Sequence, residues 1–225
     1  MSVAALIVAA GRGTRLGADM PKQYIPLNGP CALRRSIDLF LSVQGVTSVQ
    51  VVIHPDDAAL YDAAVSGLDD LGLRPAVVGG ATRASSVLAG LEALQLDSPQ
   101  AVLIHDAARP FMPKSVIEAV ISELETSDGA CAALPLVDAL WKADEGFARS
   151  AIPRDGLWRA QTPQGFVFEK ILEAHRKHDG SGADDVAVAR EAGLAVRFVT
   201  GSEDGYKITT AGDLARALRE TRSGT

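Results

Sequence analysis

Short apolar runs, each bounded by turn residues and lacking polar alternation, constrain the fold of this chain more than any other feature. Such runs are typical of strands buried on both faces of a parallel sheet. Amphipathic stretches with a helical period separate them, and this alternation predicts βαβ units and a Rossmann-like, doubly wound, mostly parallel α/β fold. The predicted strands are Val3 to Ala9, Val49 to Ile53, Ala76 to Val78, Ala101 to Ile104, Ala130 to Leu134 and Val196 to Thr200.

The helical period is interrupted once, between Val137 and Trp158, where short segments and turn residues predict a β-arm projecting from the main sheet. We expect residues 1–225 to form a single domain that carries this arm at 137–158. Thr210 stands three residues before Asp213, which predicts a capped start for the last helix. The predicted helices are Ala32 to Leu41, Asp57 to Leu71, Ser85 to Leu96, Lys114 to Glu125, Glu169 to Lys177, Asp185 to Ala192 and Ala211 to Arg222.

Composition excludes several classes of protein. A chain of 225 residues with 47% apolar and 22% charged residues can bury a core without disulfides. The net charge of −6 argues against nucleic-acid and membrane-surface partners, since both rely on excess Lys and Arg. We expect a cytoplasmic protein, because no stretch approaches the roughly 20 apolar residues of a bilayer span. Cys31 and Cys131 are expected to be buried small residues.

The first motif with chemical content is the glycine-rich segment Ala9 to Gly17, which directly follows the first strand. Glycines let backbone N–H groups approach a polyphosphate, and Arg15 and Lys22 supply positive charge nearby. The glycine spacing differs from that of a dinucleotide-binding loop, and the Gly-Lys-Ser/Thr of a Walker loop is absent. The segment predicts a triphosphate cradle, although by itself it fits a tight βα turn with solvated arginines equally well.

A second segment, Gly79 to Val87, joins the third strand to its helix. Its small and hydroxyl residues can bind a base or ribose, with Arg83 held at the helix start. Taken alone, the segment is better explained as a helix N-cap formed by Thr82 or Ser85.

A third segment, His105 to Pro110, follows the fourth strand, and ligands of open parallel sheets collect at the carboxyl ends of the strands. Asp106 is a candidate ligand for Mg²⁺ or a ribose, and Arg109 offers a fork to a phosphate. The alternative is an Asp106–Arg109 salt bridge that fixes the loop, and both descriptions are compatible. His105 is expected to be structural.

Two further segments, Ile152 to Gln164 and Asp204 to Thr210, each place a cation on a short loop or strand end. Neither segment indicates a function by itself, and they gain significance only together with the other motifs. In this order, the segments resemble the 2-C-methyl-D-erythritol 4-phosphate cytidylyltransferases of the non-mevalonate isoprenoid pathway over essentially the whole chain. The motifs that carry the resemblance are A-A-G-x-G-x-R, P-K-Q-Y, G-G-x-x-R-x-x-S-V, H-D-A-A-R-P, L-W-x-A-x-T-P-Q and K-I-T.

The resemblance implies a fold of the nucleotide-diphospho-sugar transferase type, with a β-arm that interlocks with the arm of a second subunit in a homodimer. It also implies a reaction in which CMP passes from CTP to 2-C-methyl-D-erythritol 4-phosphate, giving 4-diphosphocytidyl-2-C-methyl-D-erythritol and pyrophosphate. Mg²⁺ would be required and held mainly by the CTP phosphates, with Asp106 as an alternative protein ligand.

The resemblance also assigns roles to individual residues. Arg15 and Lys22 would stabilise the transition state, and Arg154 and Lys207 would hold the acceptor's phosphate, with Arg109 and Thr162 nearby. Asp106 would contact the acceptor's hydroxyls or the metal. The nucleotide would be bound by Ala9, Ala10, Gly11, Gly13, Gly80, Arg83 and Ser86.

Some positions depart from the family pattern and leave the fine contacts to the substrates open, namely Ala81, Ala139 and Ala183. A sister enzyme that uses ribitol 5-phosphate and a catalytically silent nucleotide-binding protein remain alternatives. His175 and His178 have a spacing that can bind zinc, but we expect them to be solvated side chains without a metal.

Overall fold

A computed structural model of the chain describes residues 1–13, 20–68 and 72–222. Its main sheet has seven strands in the order β3-β2-β1-β4-β8-β5-β9. All neighbours pair in parallel except β8, which lies antiparallel between β4 and β5. The strands are β1 (Val3–Val8), β2 (Val46–Ile53), β3 (Val77–Val78), β4 (Ala101–Asp106), β5 (Gly129–Pro135), β8 (Trp158–Val167) and β9 (Val196–Thr200).

Helices cover both faces of the sheet, as the doubly wound prediction requires. Successive side chains of β1 point to opposite faces, so Ile7 packs in one core with α1, α2 and α4, while Leu6 packs in the other with α3, α5 and α6. The α/β fold prediction is confirmed. The helices are α1 (Ala32–Leu41), α2 (Ala58–Val65), α3 (Arg83–Leu94), α4 (Lys114–Glu123), α5 (Phe168–Lys177), α6 (Asp185–Glu191) and α7 (Ala211–Glu220).

The capping predictions hold at two helix starts. Thr82 and Ser85 form a reciprocal capping box at α3, and Thr210 and Asp213 form another at α7. Each pair satisfies backbone N–H groups that a helix start leaves without partners. Among the described residues, no helix is both long and apolar enough to cross a bilayer.

The central antiparallel strand β8 is absent from the sequence prediction, which assigned only short motifs to its residues. Pro163 and Gly165 argue against a central strand, and the polar residues around them break up any apolar run. The structure explains the glycine: a Cβ at Gly165 would lie 2.7 Å from Val120 and 2.9 Å from Leu103. A bare backbone here therefore lets α4 pack closely on the sheet.

The predicted arm contains a separate two-stranded hairpin, formed by β6 (Leu140–Asp144) and β7 (Phe147–Ile152). Its turn residues Glu145 and Gly146 both have positive φ, 50° and 85°, as a two-residue hairpin turn of type I′ requires. Both strands are exposed along nearly their whole length. The predicted arm ends at Trp158, which already belongs to β8.

The close packing of α3 on β1 and β2 gives a stability test. A Cβ added at Gly90 would clash with Leu6 and lie 2.7 Å from Val52, both fully buried. We expect Gly90→Ala to lower the free energy of unfolding by about 1–2 kcal/mol, because overpacking outweighs the helix-propensity gain. The measurement is urea unfolding followed by circular dichroism.

The matched control is Gly212 in α7, where the nearest atom to an added Cβ is 3.6 Å away. Gly212→Ala should raise the free energy of unfolding by about 0.5–1 kcal/mol. Equal effects of the two substitutions would contradict the packing argument.

Candidate active site

A cleft of about 250 Å³ opens where β1 and β4 end and α3 begins. The strand register sets Val8 beside Asp106, so the glycine-rich segment and the His105–Pro110 segment leave the sheet side by side. The cleft therefore forms at the carboxyl edge of a parallel sheet, where ligands of such folds bind. The predicted site residues that line it are Ala9, Ala10, Gly11, Gly13, Lys22, Gly80, Arg83, Ser86, Asp106 and Lys207.

Four predicted site residues are not among these lining residues. Arg15 lies outside the described part of the chain. Arg109 and Thr162 are buried or nearly so behind the cleft, and Arg154 is on the segment that follows the arm hairpin. The structure therefore brings together the predicted nucleotide-binding residues, and only part of the predicted acceptor site.

Gln23 fixes the backbone of the glycine-rich segment by hydrogen bonds. It is a buried residue that the sequence reasoning did not assign to the site. Its side-chain amide donates to the carbonyls of Ala9 (2.6 Å) and Gly11 (3.1 Å). Arg12 fixes the same segment by donating to the buried carboxylate of Asp57 at 2.8 Å. These contacts, with the hydrogen bond from the Ala9 N–H to the carbonyl of Val52 at 2.8 Å, fix the described part of the segment, residues 9–13. A fixed glycine-rich turn can present its remaining N–H groups to an anion.

Close approach across the cleft depends on a glycine at the β3–α3 connection. A Cβ at Gly79 would lie 2.7 Å from the side chain of Ala10, so a larger residue would push the start of α3 away from β1. The Ser86 hydroxyl donates to the carbonyls of Thr82 and Gly80 at 2.8 and 3.3 Å. The N-cap explanation of this segment is therefore correct, and the same segment lines the cleft.

Lys22 and Lys207 enter the cleft from different parts of the chain. Lys22 begins a short 3-10 turn and donates from Nζ to the carbonyl of Ile208 at 2.6 Å. Lys207 lies one residue before Ile208, and its Nζ is 2.9 Å from Asp106 Oδ2. The hydrogen bond thus joins the two segments that bring these ammonium groups into the cleft.

Asp106 is a carboxylate surrounded by cations. Besides Lys207, its oxygens face Arg109 Nε at 3.5 Å and Arg83 Nε at 3.6 Å. Burial would raise the pKa of this carboxyl, but Lys207, Arg83 and Arg109 outweigh it and hold the pKa well below its ordinary value. Asp106 is therefore ionised at neutral pH, and the group as a whole carries net positive charge for a polyanion.

Arg109 is committed to the protein rather than to the cleft. Its guanidinium donates from Nη1 to the carbonyl of Gly205 at 2.8 Å and lies beside Asp106. The salt-bridge alternative for the Asp106–Arg109 pair is thus confirmed. Its side chain is only 13% exposed, and the predicted contact of Arg109 with a phosphate stays a prediction.

Thr162 belongs to a buried chain of hydrogen bonds behind Asp106. His105 Nε2 lies 3.1 Å from the carbonyl of Arg109, which can only accept, so Nε2 carries the proton. Nδ1 then accepts from the Thr162 hydroxyl at 3.1 Å, and that hydroxyl accepts from the Asp106 N–H at 3.1 Å. Burial, opposed in part by Asp106, lowers the pKa of His105 to about 4, so the imidazole is neutral.

The histidines at the end of α5, His175 within it and His178 just after it, differ from the sequence prediction. We expected His175 and His178 to be solvated, but both side chains are almost fully buried. The amphipathic period of α5 turns His175 inwards, where its Nε2 lies 3.2 Å from the buried carboxylate of Asp185. Asp185 in turn pairs with Arg83 at 2.7 Å. Sequence reasoning missed this group because its members come from three separate helices.

Arg154 follows the arm hairpin and donates to the carbonyl of Val137. Within one chain it does not line the cleft. An acceptor role for Arg154 therefore calls for a repositioned arm or for the arm of a second chain.

Of the described residues that line the cleft, Asp106 alone is acidic. In the part of the chain that the structure describes, no cluster of three or more His, Cys, Asp or Glu side chains is arranged to hold a metal. A Mg²⁺ ion bound mainly by phosphate oxygens and water, with one carboxylate, fits this donor set.

A larger cavity of about 560 Å³ is lined by residues of α5, of α6 and of the turns that follow them. It contains none of the predicted site residues, and Glu173 and Lys177 on its wall form an ion pair with each other. Although this cavity is larger than the cleft, its lining does not favour it as the reaction site.

Comparison with known proteins tests the predicted family directly. The sequence profile of the 2-C-methyl-D-erythritol 4-phosphate cytidylyltransferase family matches residues 3–220. The chain belongs to this family. A relative of that name from Cereibacter sphaeroides is 49% identical over 219 residues, which cover 97% of this chain and 96% of the relative. The bifunctional enzyme IspD/IspF of Rhodobacter capsulatus is 50% identical over 99% of this chain, which spans 57% of that longer protein.

Solved structures agree with the fold. The crystal structure of 2-C-methyl-D-erythritol 4-phosphate cytidylyltransferase from Thermus thermophilus has a TM-score of 0.81 and 31% identity, covering 99% of this chain and 100% of that one. The 4-diphosphocytidyl-2C-methyl-D-erythritol synthase of Anaerococcus prevotii has a TM-score of 0.84 at 25% identity, covering 98% and 96%. The predicted family and its cytidylyltransferase activity are confirmed.

The neutral, buried His105 predicts a pH dependence of stability. An unfolded histidine has a pKa of about 6.5, above the folded value of about 4. As pH falls from about 6.5 to about 4, the unfolded chain takes up a proton that the folded protein refuses, so stability is lost over this window. The folded pKa of Asp106 is depressed instead, so its contribution is lost only at lower pH.

We expect His105→Gln to remove this dependence, since a glutamine amide can replace both ring hydrogen bonds without titrating. The loss of unfolding free energy between pH 7 and pH 4.5 should be smaller in the variant by about 2 kcal/mol. Urea unfolding of both proteins at the two pH values provides the comparison. Parallel losses would show that His105 does not titrate as the buried geometry requires.

Proposed function

We propose that this chain transfers CMP from CTP to 2-C-methyl-D-erythritol 4-phosphate, with release of pyrophosphate. Its membership of the family supports the reaction, and the geometry of the cleft supports the site. The observation that carries the proposal is the convergence of Lys22, Lys207 and Arg83 on a cleft floored by the glycine-rich segment. Lys207 and Arg83 face the ionised carboxylate of Asp106, and Arg83 also pairs with the buried Asp185. Together with Lys22 and Arg109 the cations outnumber these two carboxylates, so excess positive charge remains for the phosphates of both substrates.

The chemical difficulty of this reaction is electrostatic. A phosphate oxygen of the acceptor, already ionised at pH 7, attacks the α-phosphorus of CTP in line, and the bond to the β-phosphate oxygen breaks as pyrophosphate leaves. No general base is needed, but negative charge accumulates on the phosphoryl oxygens. Lys22 meets this need as a fixed ammonium beside the segment that cradles the triphosphate. Arg15 would add to it, but it lies outside the described residues.

The two ends of the cleft suit different substrates. Ala9, Ala10, Gly11 and Gly13, with Gly80 and Ser86, offer a wall of mostly backbone atoms for the nucleotide. Lys207 and Asp106 lie at the other end, where an ammonium can bind the acceptor's phosphate and a carboxylate can accept from its hydroxyls. Thr162 and Arg109 would act from behind by fixing Asp106.

Mg²⁺ fits this arrangement as a partner of the CTP phosphates, and binding the metal is the alternative role for the Asp106 carboxylate. When bound, it supplies charge neutralisation and orientation of the phosphates. We propose that the enzyme acts in the cytoplasm, without nucleic-acid or membrane partners.

We further propose that the arm forms a homodimer. Its apolar side chains are unusually exposed: Trp141 is 57% and Phe147 69% accessible. At its base, Trp158 and Phe198 stack with ring centroids 5.5 Å apart and remain about half exposed. Exposed apolar patches of this kind mark association surfaces, and a second arm is a self-complementary partner for them.

The test of the function is pyrophosphate release with Mg²⁺ and each of CTP, UTP, ATP and GTP. The acceptors are 2-C-methyl-D-erythritol 4-phosphate and ribitol 5-phosphate. We expect release only with CTP and the methylerythritol phosphate. Release with ribitol phosphate instead would keep the mechanism and change the acceptor, whereas no release with any pair would refute nucleotidyl transfer.

The same assay tests the charge at the triphosphate end. Lys22→Gln keeps a side-chain N–H donor for the Ile208 carbonyl but removes the positive charge, so kcat should fall by about 100- to 1,000-fold. Lys177→Gln is the control, since that ammonium lies on α5 and pairs with Glu173; its kcat should be unchanged. Normal turnover in Lys22→Gln would exclude the electrostatic role.

For the dimer, sedimentation equilibrium of the wild-type protein should give twice the chain mass. The double variant Trp141→Ser/Phe147→Ser should shift the equilibrium towards monomer, because it removes the exposed apolar area of the arm. Leu96→Ser is the matched control, as Leu96 is 90% exposed but far from the arm in the chain. A wild-type protein that stays monomeric at all concentrations would rule out the arm interface.

A further inference from the structure

Arg83 is held from behind by an acid that no motif pointed to. Its Nη2 donates to Asp185 Oδ2 at 2.7 Å, while its Nε lies 3.6 Å from Asp106 Oδ1 on the cleft side. The guanidinium therefore lies between two carboxylates, one buried in the protein and one in the cleft. The shorter contact has the geometry of a charge-assisted hydrogen bond, so Asp185 sets where the guanidinium lies.

Asp185 is fixed in place by its surroundings. It is the first residue of α6, and its side chain is 1% exposed. The preceding residue, Asp184, caps α6 by accepting from the Ala187 N–H at 3.0 Å. Gln164 of β8 donates to Asp184 at 2.9 Å and accepts from the Val186 N–H at 3.1 Å. The start of α6 is thus anchored to the central strand, and Asp185 cannot follow Arg83 if the arginine moves.

His175 stands behind Asp185 on the side away from Arg83. Its Nε2 lies 3.2 Å from Asp185 Oδ1, and both side chains are almost completely buried. Neither atom meets hydrogen-bond geometry with any described residue. Burial would raise the pKa of Asp185, but His175 and Arg83 outweigh it and keep the pKa below its ordinary value. Asp185 therefore stays ionised despite its burial.

We propose that Asp185, backed by His175, is a positioning residue that holds Arg83 at the nucleotide wall of the cleft and keeps it from closing onto Asp106. The assignment of CTP as the ligand rests on the proposed function. Arg83 itself touches the cleft: its side chain is 32% exposed and lines the wall beside Gly80 and Ser86. A guanidinium has five N–H donors, so donors remain for the nucleotide after the two carboxylates are served.

The physical argument is a competition between two carboxylates for one guanidinium. If Asp185 loses its charge, Asp106 becomes the carboxylate nearest to Arg83 among the described residues. Arg83 would then move onto Asp106, where it competes with Lys207. Its charge would be neutralised at the acceptor end of the cleft and lost to the nucleotide, so the expected consequence is weaker CTP binding.

A purely structural salt bridge is the alternative, and a double-mutant cycle on CTP affinity separates the two. Asp185→Asn keeps the size of the side chain and removes its charge, and Arg83→Met removes the group through which Asp185 is proposed to act. CTP binding in the presence of Mg²⁺ is measured by calorimetry for the wild type, both single variants and the double variant, with thermal unfolding of each. Glu191→Gln, an exposed acid on the same helix, is the matched control.

We expect Asp185→Asn to raise the Kd for CTP about 10-fold in the wild-type background, as loss of a partner that orients a ligand-binding group typically does. In the Arg83→Met background it should have almost no further effect, because its target is gone. In steady-state assays the KM for CTP should rise while kcat changes little. Glu191→Gln should leave every value unchanged.

The positioning role would be overturned if Asp185→Asn raised the Kd for CTP by the same factor in both backgrounds, or changed it in neither. If Asp185→Asn fails to fold, His175→Gln enters the same cycle, with a smaller rise in Kd expected. If the wild type binds CTP but turns over neither acceptor, the proposed reaction is refuted. The double-mutant cycle on CTP affinity would still test the positioning role of Asp185. A folded wild type that does not bind CTP would overturn both.

Discussion

The cleft depends on one interaction, the pairing of the ionised Asp106 carboxylate with the cations around it. Asp106 lies at the end of the buried strand β4. It draws Lys207 and Arg83 from distant parts of the chain, and Arg109 from its own segment, to within 4 Å of one side chain. Without it these cations would repel one another. With it they form a compact group whose net charge is positive, which suits an enzyme that must bring two phosphorylated substrates together.

Most of the residues around that carboxylate serve as supports. His105 and Thr162 fix the backbone and loop on either side of Asp106, and Gln23 fixes the carbonyls of the glycine-rich segment. Each support is buried and has its hydrogen bonds satisfied within the protein, so the cleft is organised before a ligand arrives. Such preorganisation limits the free energy spent on orienting charges during phosphoryl transfer.

The strand β8 connects these parts. It carries Thr162, which reaches His105, and Gln164, which anchors the start of α6 and hence Asp185. Its first residue follows the arm hairpin, so one central strand joins the exposed apolar surface of the arm to the cleft. Small and polar residues in β8 are unusual for the middle of a sheet, and these contacts are the physical reason for them.

Sequence alone determined the fold class, the family and most of the residues that line the cleft. Buried parallel strands have recognisable apolar runs, and the glycines and cations of the cleft lie in short motifs with a characteristic spacing. Tertiary structure decided what spacing cannot encode. It placed the polar strand β8 at the centre of the sheet, paired Arg109 with Asp106, joined Thr162 to His105, and buried His175 against Asp185. These outcomes depend on side chains from separate helices and strands meeting in a low-dielectric interior, where an ion or hydroxyl must find its partner.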